Sequence, residues 1–219
     1  LQAAGCDIVR VTVPDTEALQ TVKALKEAIK IPLVADIHFD YRLALESVAM
    51  GVDKVRINPG NIGSDDKVKL VADACRNAGV PIRIGVNSGS LEKEILAKYG
   101  GVTPEAMVES GLYHISLLEK FDFTDIVLSL KSSDTFKMYK AYELAAEKCK
   151  YPLHLGVTEA GGVENGTIRN AIGIGALLAQ GIGDTLRVSL TADPVKEVYA
   201  GHRILRVMGM ESGINVVSC

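Results

Sequence analysis

The sequence lacks several patterns that identify common classes of protein. It has no run of about 18 apolar residues, so no segment is predicted to cross a membrane. No signal-peptide pattern is visible near residue 1. The net charge is -3 and no run of Lys and Arg occurs in the sequence, which argues against a general polyanion binder. Any site for an anion must therefore be local.

Common motifs of metal, nucleotide and nucleophile sites are missing as well. The sequence has no Cys/His spacing of a zinc site, no Gly-rich loop of the Walker type, no nucleophile elbow and no catalytic triad order. The four cysteines are scattered, without the spacing of a disulfide framework, which predicts a reducing compartment. We predict that Cys6, Cys75 and Cys149 are small buried apolar residues.

Seven short apolar runs alternate with helical patterns along the 219 residues. The chain has the length of one α/β barrel, about 200–250 residues. A loop is predicted at 58–63 and a helix at 167–180. The predicted strands are 6–13, 33–37, 54–57, 82–86, 125–130, 153–157 and 185–190.

Such strands pair in parallel with both sheet faces covered, which leaves a doubly wound sheet or a closed barrel. We favour an α/β barrel, because polar clusters follow strand after strand and not one switch point. Eight strands close such a barrel, and residues 1–5 look like the end of a helix. We therefore expect a missing first strand before residue 1, a barrel over 1–210 and a truncated second domain from 211 to 219.

Four predicted strands carry an arginine within an apolar run, which is costly without an anionic partner. In a parallel barrel the carboxyl ends of the strands meet at one face. Planar Arg side chains match phosphate oxygens, so the set predicts a site for a small diphosphate. The residues concerned are Arg10, Arg56, Arg83, Arg187 and Lys131, with Asn58, Asn61, Asn87, Ser132, Ser189 and Thr191 as neutral donors and Asp36, Asp40 and Glu159 as acids.

Each of these residues also has a structural interpretation. An inward arginine can belong to a barrel layer and pair with a neighbouring Asp, and Lys131 can be a solvated loop residue. His38, directly after the second strand, can be a proton donor, a phosphate ligand or a hydrogen-bonded structural residue. His154 is predicted to lie in the core, and His114 and His202 on helix surfaces. The position of Glu159 in a Gly-flanked loop makes it the candidate general acid.

Six motifs in chain order make the sequence resemble a known family. They are DIHF at 36–39, VRINPGN at 55–61, RIGVNSGSL at 83–91, LSLKSS at 128–133, GVTEAG at 156–161 and LRVSLT at 186–191. Together they closely resemble the barrel of 4-hydroxy-3-methylbut-2-enyl diphosphate synthases, the iron–sulfur enzymes of the non-mevalonate isoprenoid pathway.

The resemblance implies a TIM-type (β/α)8 barrel that lacks its first strand in this chain. It implies the two-electron reductive ring opening of 2-C-methyl-D-erythritol 2,4-cyclodiphosphate with loss of water. Glu159 would be the acid near the departing hydroxyl, and His38 is a second catalytic candidate. The residues that would hold the diphosphate are Arg10, His38, Arg56, Arg83, Asn87, Lys131, Arg187 and Ser189.

The resemblance also implies a [4Fe-4S] cluster in a C-terminal domain, bound by three cysteines and a glutamate. Residues 216–219 resemble the start of that domain, so Cys219 would be the first cluster ligand. Family members are homodimers reduced by a flavodoxin- or ferredoxin-type protein, located in the bacterial cytoplasm or in a plastid. Without the missing parts, this chain should bind ligand weakly and catalyse nothing alone.

Two other functions remain open at this level. A pteridine-binding synthase barrel also places Asn, Asp, Lys and Arg at strand ends, although the excess of Arg favours phosphate. A barrel that binds phosphate without catalysis, as a regulator or scaffold, is the other alternative. Further cysteines after Cys219 in the reading frame would separate these functions.

Overall fold

The computed structural model describes residues 1–211. Within them, seven strands alternate with helices, after a short 3-10 helix at Gln2–Ala4. The strands are β1 Val9–Thr12, β2 Leu33–Asp36, β3 Lys54–Ile57, β4 Ile82–Asn87, β5 Ile126–Lys131, β6 His154–Leu155 and β7 Thr185–Leu186. The helices are α1 Ala18–Ala28, α2 Tyr41–Ala49, α3 Pro59–Ile62, α4 Asp65–Ala78, α5 Lys93–Tyr99, α6 Pro104–Glu119, α7 Thr135–Lys148, α8 Val163–Leu178 and α9 Pro194–Val207.

All strand pairs are parallel and follow chain order. One sheet runs from β1 to β5, and a second sheet joins β6 to β7. A parallel bridge between Leu128 and Leu153 connects the two sheets. Neighbouring strands joined through helices in this order have the topology of an α/β barrel, as the sequence predicts.

The strands separate an apolar face from a polar one. Val55, Ile57, Ile82 and Ile84 are fully buried, and α2, α4 and α6 lie near this part of the sheet. Their neighbours along β3 and β4 are arginines, which point to the opposite face because side chains alternate along a strand. The hydrophobic core therefore lies between strands and helices, and the barrel interior is left to polar groups.

Side chains of Asp and Thr cap the starts of several helices. The carboxylate of Asp134 accepts hydrogen bonds from the Phe136 and Lys137 amides, and the Thr103 hydroxyl accepts one from the Ala106 amide ahead of Pro104. Asp15 accepts a hydrogen bond from Ala18 at the start of α1. These side chains fix the points at which the chain leaves the barrel mouth.

Several boundaries differ from the prediction. Residues 59–62 form a short helix, because the Asn58 side chain caps it and Pro59 has a backbone suited to the first turn. Helix α8 begins at Val163 and not at residue 167, directly after the extended Gly162. Strands β6 and β7 are only two residues long, because ladder pairing ends as the chain enters the mouth.

Two predictions about burial also fail in part. His114 is wholly buried and His202 half-buried, since α6 and α9 turn these rings toward neighbouring segments. Cys75 is buried as predicted, whereas Cys6 and Cys149 are only half-buried. Among the described residues, no helix is both long and apolar enough to cross a membrane.

Candidate active site

Strand register places acidic and basic side chains on one level of the barrel interior. Asp36 on β2 lies opposite Arg56 on β3, which lies opposite Arg83 on β4. In-register neighbours in a parallel sheet point to the same face. Asn87, at the end of β4, lies opposite Lys131 at the end of β5. Asn87 and Lys131 thus lie at the carboxyl ends of their strands, as predicted, whereas Arg83 is the second residue of β4 and lies deeper in the barrel.

The Arg56 side chain is held across the barrel by two hydrogen bonds. Its guanidinium donates to the Asp36 carboxylate and to the Gly85 carbonyl, both at 2.9 Å. A Cβ atom at position 85 would lie 2.0 Å from the Arg56 Nε, so only glycine leaves this path open. Burial lowers the pKa of Arg56, but an arginine remains charged.

Asp36 is the carboxylate that joins two of the arginines. It is 1% exposed and accepts a close hydrogen bond from Arg10 in addition to the one from Arg56. The sequence identified Asp36 only as one of several acids near the mouth. Arg10 and Arg56 thus pair with a neighbouring Asp, as the structural interpretation of an inward arginine predicts. A buried carboxylate needs such partners.

Arg83 and Lys131 differ from that pair. They are 6% and 9% exposed, and neither side chain forms a hydrogen bond or an ion pair with any described residue. Burial lowers the pKa of Arg83 to about 10, with Arg56 and Arg187 as further causes. The pKa of Lys131 is lowered well below its usual value by burial and then by Arg83, Arg187, Arg10 and Arg56. The site thus concentrates positive charge that its own carboxylates do not neutralise.

Arg10 on β1 and Arg187, directly after β7, complete the group of basic side chains. The Arg187 guanidinium lies 3.8 Å from the Glu197 carboxylate, which also accepts a hydrogen bond from the Leu190 amide. Burial lowers the pKa of Arg10 to about 9, and the charges of Arg187, Arg83 and Arg56 add to that effect. Five basic side chains, those of Arg10, Arg56, Arg83, Lys131 and Arg187, thus stand against the two carboxylates of Asp36 and Glu197.

Neutral donors surround the cluster to different degrees. Asn58 is buried and caps α3, and Asn87 is half-buried at the end of β4. Ser132 is buried and accepts a hydrogen bond from the Asp134 amide, and Ser189 is half-buried. Asn61 and Thr191, which the sequence also suggested, are exposed.

His38 lies at the edge of the cluster. Its Nε2 is 4.0 Å from the Asp36 carboxylate, and its ring is partly exposed. Burial, followed by the charges of Arg56 and Arg10, lowers the pKa of His38 below its usual value near 6.5. The ring is therefore neutral at pH 7 and can donate or accept one hydrogen bond.

Glu159 is exposed in the segment after β6 and forms no hydrogen bond or ion pair within residues 1–211. Its φ of 51° is in the left-handed region, which costs a non-glycine residue on the order of 1 kcal/mol. The Thr158 amide donates a hydrogen bond to the Ser132 carbonyl at 3.1 Å and fixes the start of this segment beside Lys131. A strained backbone position thus carries an exposed carboxylate at the mouth.

The sequence missed a buried histidine and carboxylate beneath two loops of the mouth. His114 Nε2 lies 2.5 Å from a Glu92 carboxylate oxygen, and the ring is wholly buried. The same ring lies under Gly60, where a Cβ would be 2.8 Å away. Burial lowers the pKa of His114, although Glu92 opposes the shift. The helical position of His114 gave no signal of this contact.

The described residues offer no site for an iron–sulfur cluster. Residues 1–211 contain no group of three His, Cys, Asp or Glu side chains that could hold a metal ion. Burial raises the pKa of Cys75 to about 12, which keeps it a thiol. The predicted ligand Cys219 lies outside the described residues.

Comparison with solved structures supports the barrel fold. A dihydropteroate synthase from Clostridium difficile aligns with a TM-score of 0.63 and 17% identity, covering 94% of this chain and 84% of that one. The Yersinia pestis dihydropteroate synthase aligns with a TM-score of 0.61 and 13% identity, covering 95% and 83%. At this level of identity the likeness shows the fold alone.

Comparison with curated proteins is far more specific. A protein of Caldanaerobacter subterraneus subsp. tengcongensis is 60% identical over 220 aligned residues, and one of Clostridium perfringens is 59% identical. Both are named 4-hydroxy-3-methylbut-2-en-1-yl diphosphate synthase (flavodoxin). The alignments cover 100% of this chain but 62% and 63% of those proteins. The GcpE TIM-barrel domain matches residues 1–202, and the chain therefore belongs to this family.

Proposed function

We propose that this chain is the substrate-binding barrel of a 4-hydroxy-3-methylbut-2-enyl diphosphate synthase. Its substrate would be 2-C-methyl-D-erythritol 2,4-cyclodiphosphate. The reaction takes up two electrons, breaks the ring C–O bond to the diphosphate and releases a hydroxyl as water after protonation. The names of the 60% and 59% identical relatives support this reaction. The domain division follows from the same proposal, with the barrel over 1–210 and a second domain from 211.

The observation that carries the proposal is the unpaired charge of Arg83 and Lys131. Burying a charged group without a partner costs several kcal/mol, and an anionic ligand would remove that cost. Arg10 and Arg56 are held in place by Asp36 beside them. A diphosphate presents several anionic oxygens at once, which suits a cluster of side chains better than a single carboxylate does.

The remaining residues would complete the binding site. Arg187 and Ser189 on the β7 side, and Asn87 beside Lys131, would donate to the remaining diphosphate oxygens. His38 is neutral and would donate one hydrogen bond at the rim. Glu159 would deliver the proton to the departing hydroxyl, because it is the carboxylate at the mouth without a basic partner among the described residues.

The electrons would come from a flavodoxin-type donor, as the names of the relatives suggest. The [4Fe-4S] cluster that the resemblance implies has no ligand set in residues 1–211. We also propose a homodimer in the cytoplasm, on the resemblance alone. The pteridine alternative has no support beyond a shared fold.

Substitution of the basic side chains tests their role in substrate binding. In the full-length enzyme, Arg83→Ala or Arg187→Ala should weaken cyclodiphosphate binding by roughly 2–5 kcal/mol, measured by calorimetry. Arg169→Ala removes an exposed arginine of α8 and serves as the matched control. If both Arg83→Ala and Arg187→Ala leave the affinity for the cyclodiphosphate unchanged, these residues do not belong to the site and the proposal is rejected.

Substitution of Glu159 tests the acid. Glu159→Gln keeps the size of the side chain but cannot deliver a proton at neutral pH. We expect the affinity for cyclodiphosphate to persist while turnover falls by about a hundredfold or more. Turnover equal to that of the unaltered enzyme would show that another group supplies the proton.

A further inference from the structure

A tyrosine hydroxyl is inserted between β5 and β6, next to the anion site. Tyr142 of α7 is fully buried. Its hydroxyl accepts a hydrogen bond from the Leu130 amide at 2.9 Å and donates one to the His154 carbonyl at 2.5 Å. No direct backbone bond joins Leu130 to His154 within the described residues. The two strands are therefore connected through a side chain at this level.

The hydrogen bond below Tyr142 shows that a regular backbone hydrogen bond of the parallel ladder has been replaced. Below Tyr142, the Leu128 amide donates to the Pro152 carbonyl at 2.9 Å. In a parallel ladder, the next amide two residues on, Leu130, bonds the carbonyl two residues after Pro152, which is His154. The hydroxyl lies between those two groups. One bond of ordinary length is thus replaced by two in series, which holds the strands apart.

The gap between β5 and β6 that the Tyr142 hydroxyl bridges lies next to Lys131. This residue follows Leu130, and Gly156 lies on the facing segment, directly after β6. A Cβ at position 156 would lie 3.1 Å from the Lys131 Nζ and 2.8 Å from the Arg187 carbonyl. The ammonium group therefore occupies space that depends on glycine at 156 and on the separation of β5 from β6.

The chemistry of the Tyr142 hydroxyl suits a bridge between a backbone amide and a backbone carbonyl. Burial raises the pKa of Tyr142 far above its usual value, so the hydroxyl stays protonated and donates to His154 across the physiological range. Phenylalanine has the same ring but can neither accept from Leu130 nor donate to His154. The two backbone groups would then bond to each other and draw the strands together, or remain unpaired.

We propose that Tyr142 is a positioning residue that sets the location of the Lys131 ammonium in the anion site. It acts through the separation of β5 and β6 and does not touch the ligand. This inference rests on the proposed function, because it assumes that Lys131 binds an anion there. Anion binding would then depend on a residue of helix α7, outside the barrel interior.

The test compares two tyrosines of the same helix in the full-length protein. Tyr142→Phe should weaken the binding of inorganic pyrophosphate by roughly tenfold, measured by calorimetry. Tyr139→Phe is the matched control, because the Tyr139 hydroxyl bonds Glu143 and Gln180 on the outside of the barrel. The control should bind pyrophosphate like the unaltered protein.

A double-mutant cycle with Lys131→Met separates positioning from general damage. If Tyr142 acts through Lys131, Tyr142→Phe should have little further effect once Lys131→Met is present. Independent, additive losses would overturn the proposal. So would a Tyr142→Phe affinity equal to that of the Tyr139→Phe control while Lys131→Met alone weakens binding. If Lys131→Met leaves the affinity unchanged, the anion site itself is wrong, and both proposals fall.

A second measurement covers a Tyr142→Phe variant that fails to fold. The unaltered protein labelled with 3-fluorotyrosine should show a 19F shift at Tyr142 on pyrophosphate binding and no shift at Tyr139. Assignment uses the Tyr139→Phe spectrum and those of Phe variants at the other tyrosines. If the Tyr142 resonance does not shift at saturating pyrophosphate, the inference is overturned without any variant at that position.

Discussion

Gly85→Ala would place a methyl group in the path of the Arg56 side chain. The new Cβ would lie 2.0 Å from the Arg56 Nε and 2.5 Å from one of its terminal nitrogens. Because these atoms end a flexible side chain, the guanidinium can move away and the backbone can stay. Its hydrogen bonds to the Asp36 carboxylate and the Gly85 carbonyl would be lost. The buried Asp36 would keep only Arg10.

The magnitude follows from those two bonds. Hydrogen bonds to charged groups contribute about 1.5–3 kcal/mol each, and partial hydration of the displaced Arg56 returns some of this. We expect a loss of about 2–4 kcal/mol in the free energy of unfolding. For a chain of this size, that lowers the melting temperature by about 5–15 °C. Thermal unfolding followed by circular dichroism measures the change.

Gly175→Ala is the matched control. A Cβ at this position of α8 would meet only the Met208 sulfur, at an ordinary 3.7 Å. Alanine favours a helix over glycine by up to about 1 kcal/mol, so stability should stay equal or rise. A Gly85→Ala variant as stable as the unaltered protein would refute the argument, because Arg56 would then not depend on the open path at Gly85.

Two further predictions concern buried titratable groups. Since the pKa of Lys131 is lowered on folding, the unfolded chain binds more protons, and the stability of the ligand-free protein should rise with pH up to about 10. Urea unfolding at several pH values measures this rise, which Lys131→Met should reduce; an identical slope would contradict the assignment. His114→Ala removes a buried ring from beneath Gly60 and leaves Glu92 without its partner, so it should cost about 2–4 kcal/mol in urea unfolding. A loss below about 1 kcal/mol would mean that the ring does not support the loops.

The sequence predicted the parts of the site that depend on local pattern. Alternation along a strand puts Arg56 and Arg83 on the face opposite the apolar residues, and parallel pairing aligns the strand ends. The whole series of seven strands, and the motif resemblance to the family, followed from such patterns.

Contacts between distant segments were not predictable in this way. Nothing in the position of Asp36 indicates that it pairs with both Arg10 and Arg56, which come from strands on either side. His114 and Tyr142 lie within amphipathic helices, where a buried polar ring has the same spacing as any core residue. Glu92 is the partner of His114, and the backbone groups between β5 and β6 are the partners of Tyr142. Packing in three dimensions determines these contacts, and they leave no periodic signal in the sequence.

The central claim is that a diphosphate occupies the barrel mouth against Arg83 and Lys131. A crystal structure of the full-length protein with 2-C-methyl-D-erythritol 2,4-cyclodiphosphate tests it most directly. We expect phosphate oxygens within about 3 Å of the Arg83 guanidinium and the Lys131 ammonium. A bound cyclodiphosphate that leaves both groups without an anionic partner, or that lies outside the mouth, would contradict the account.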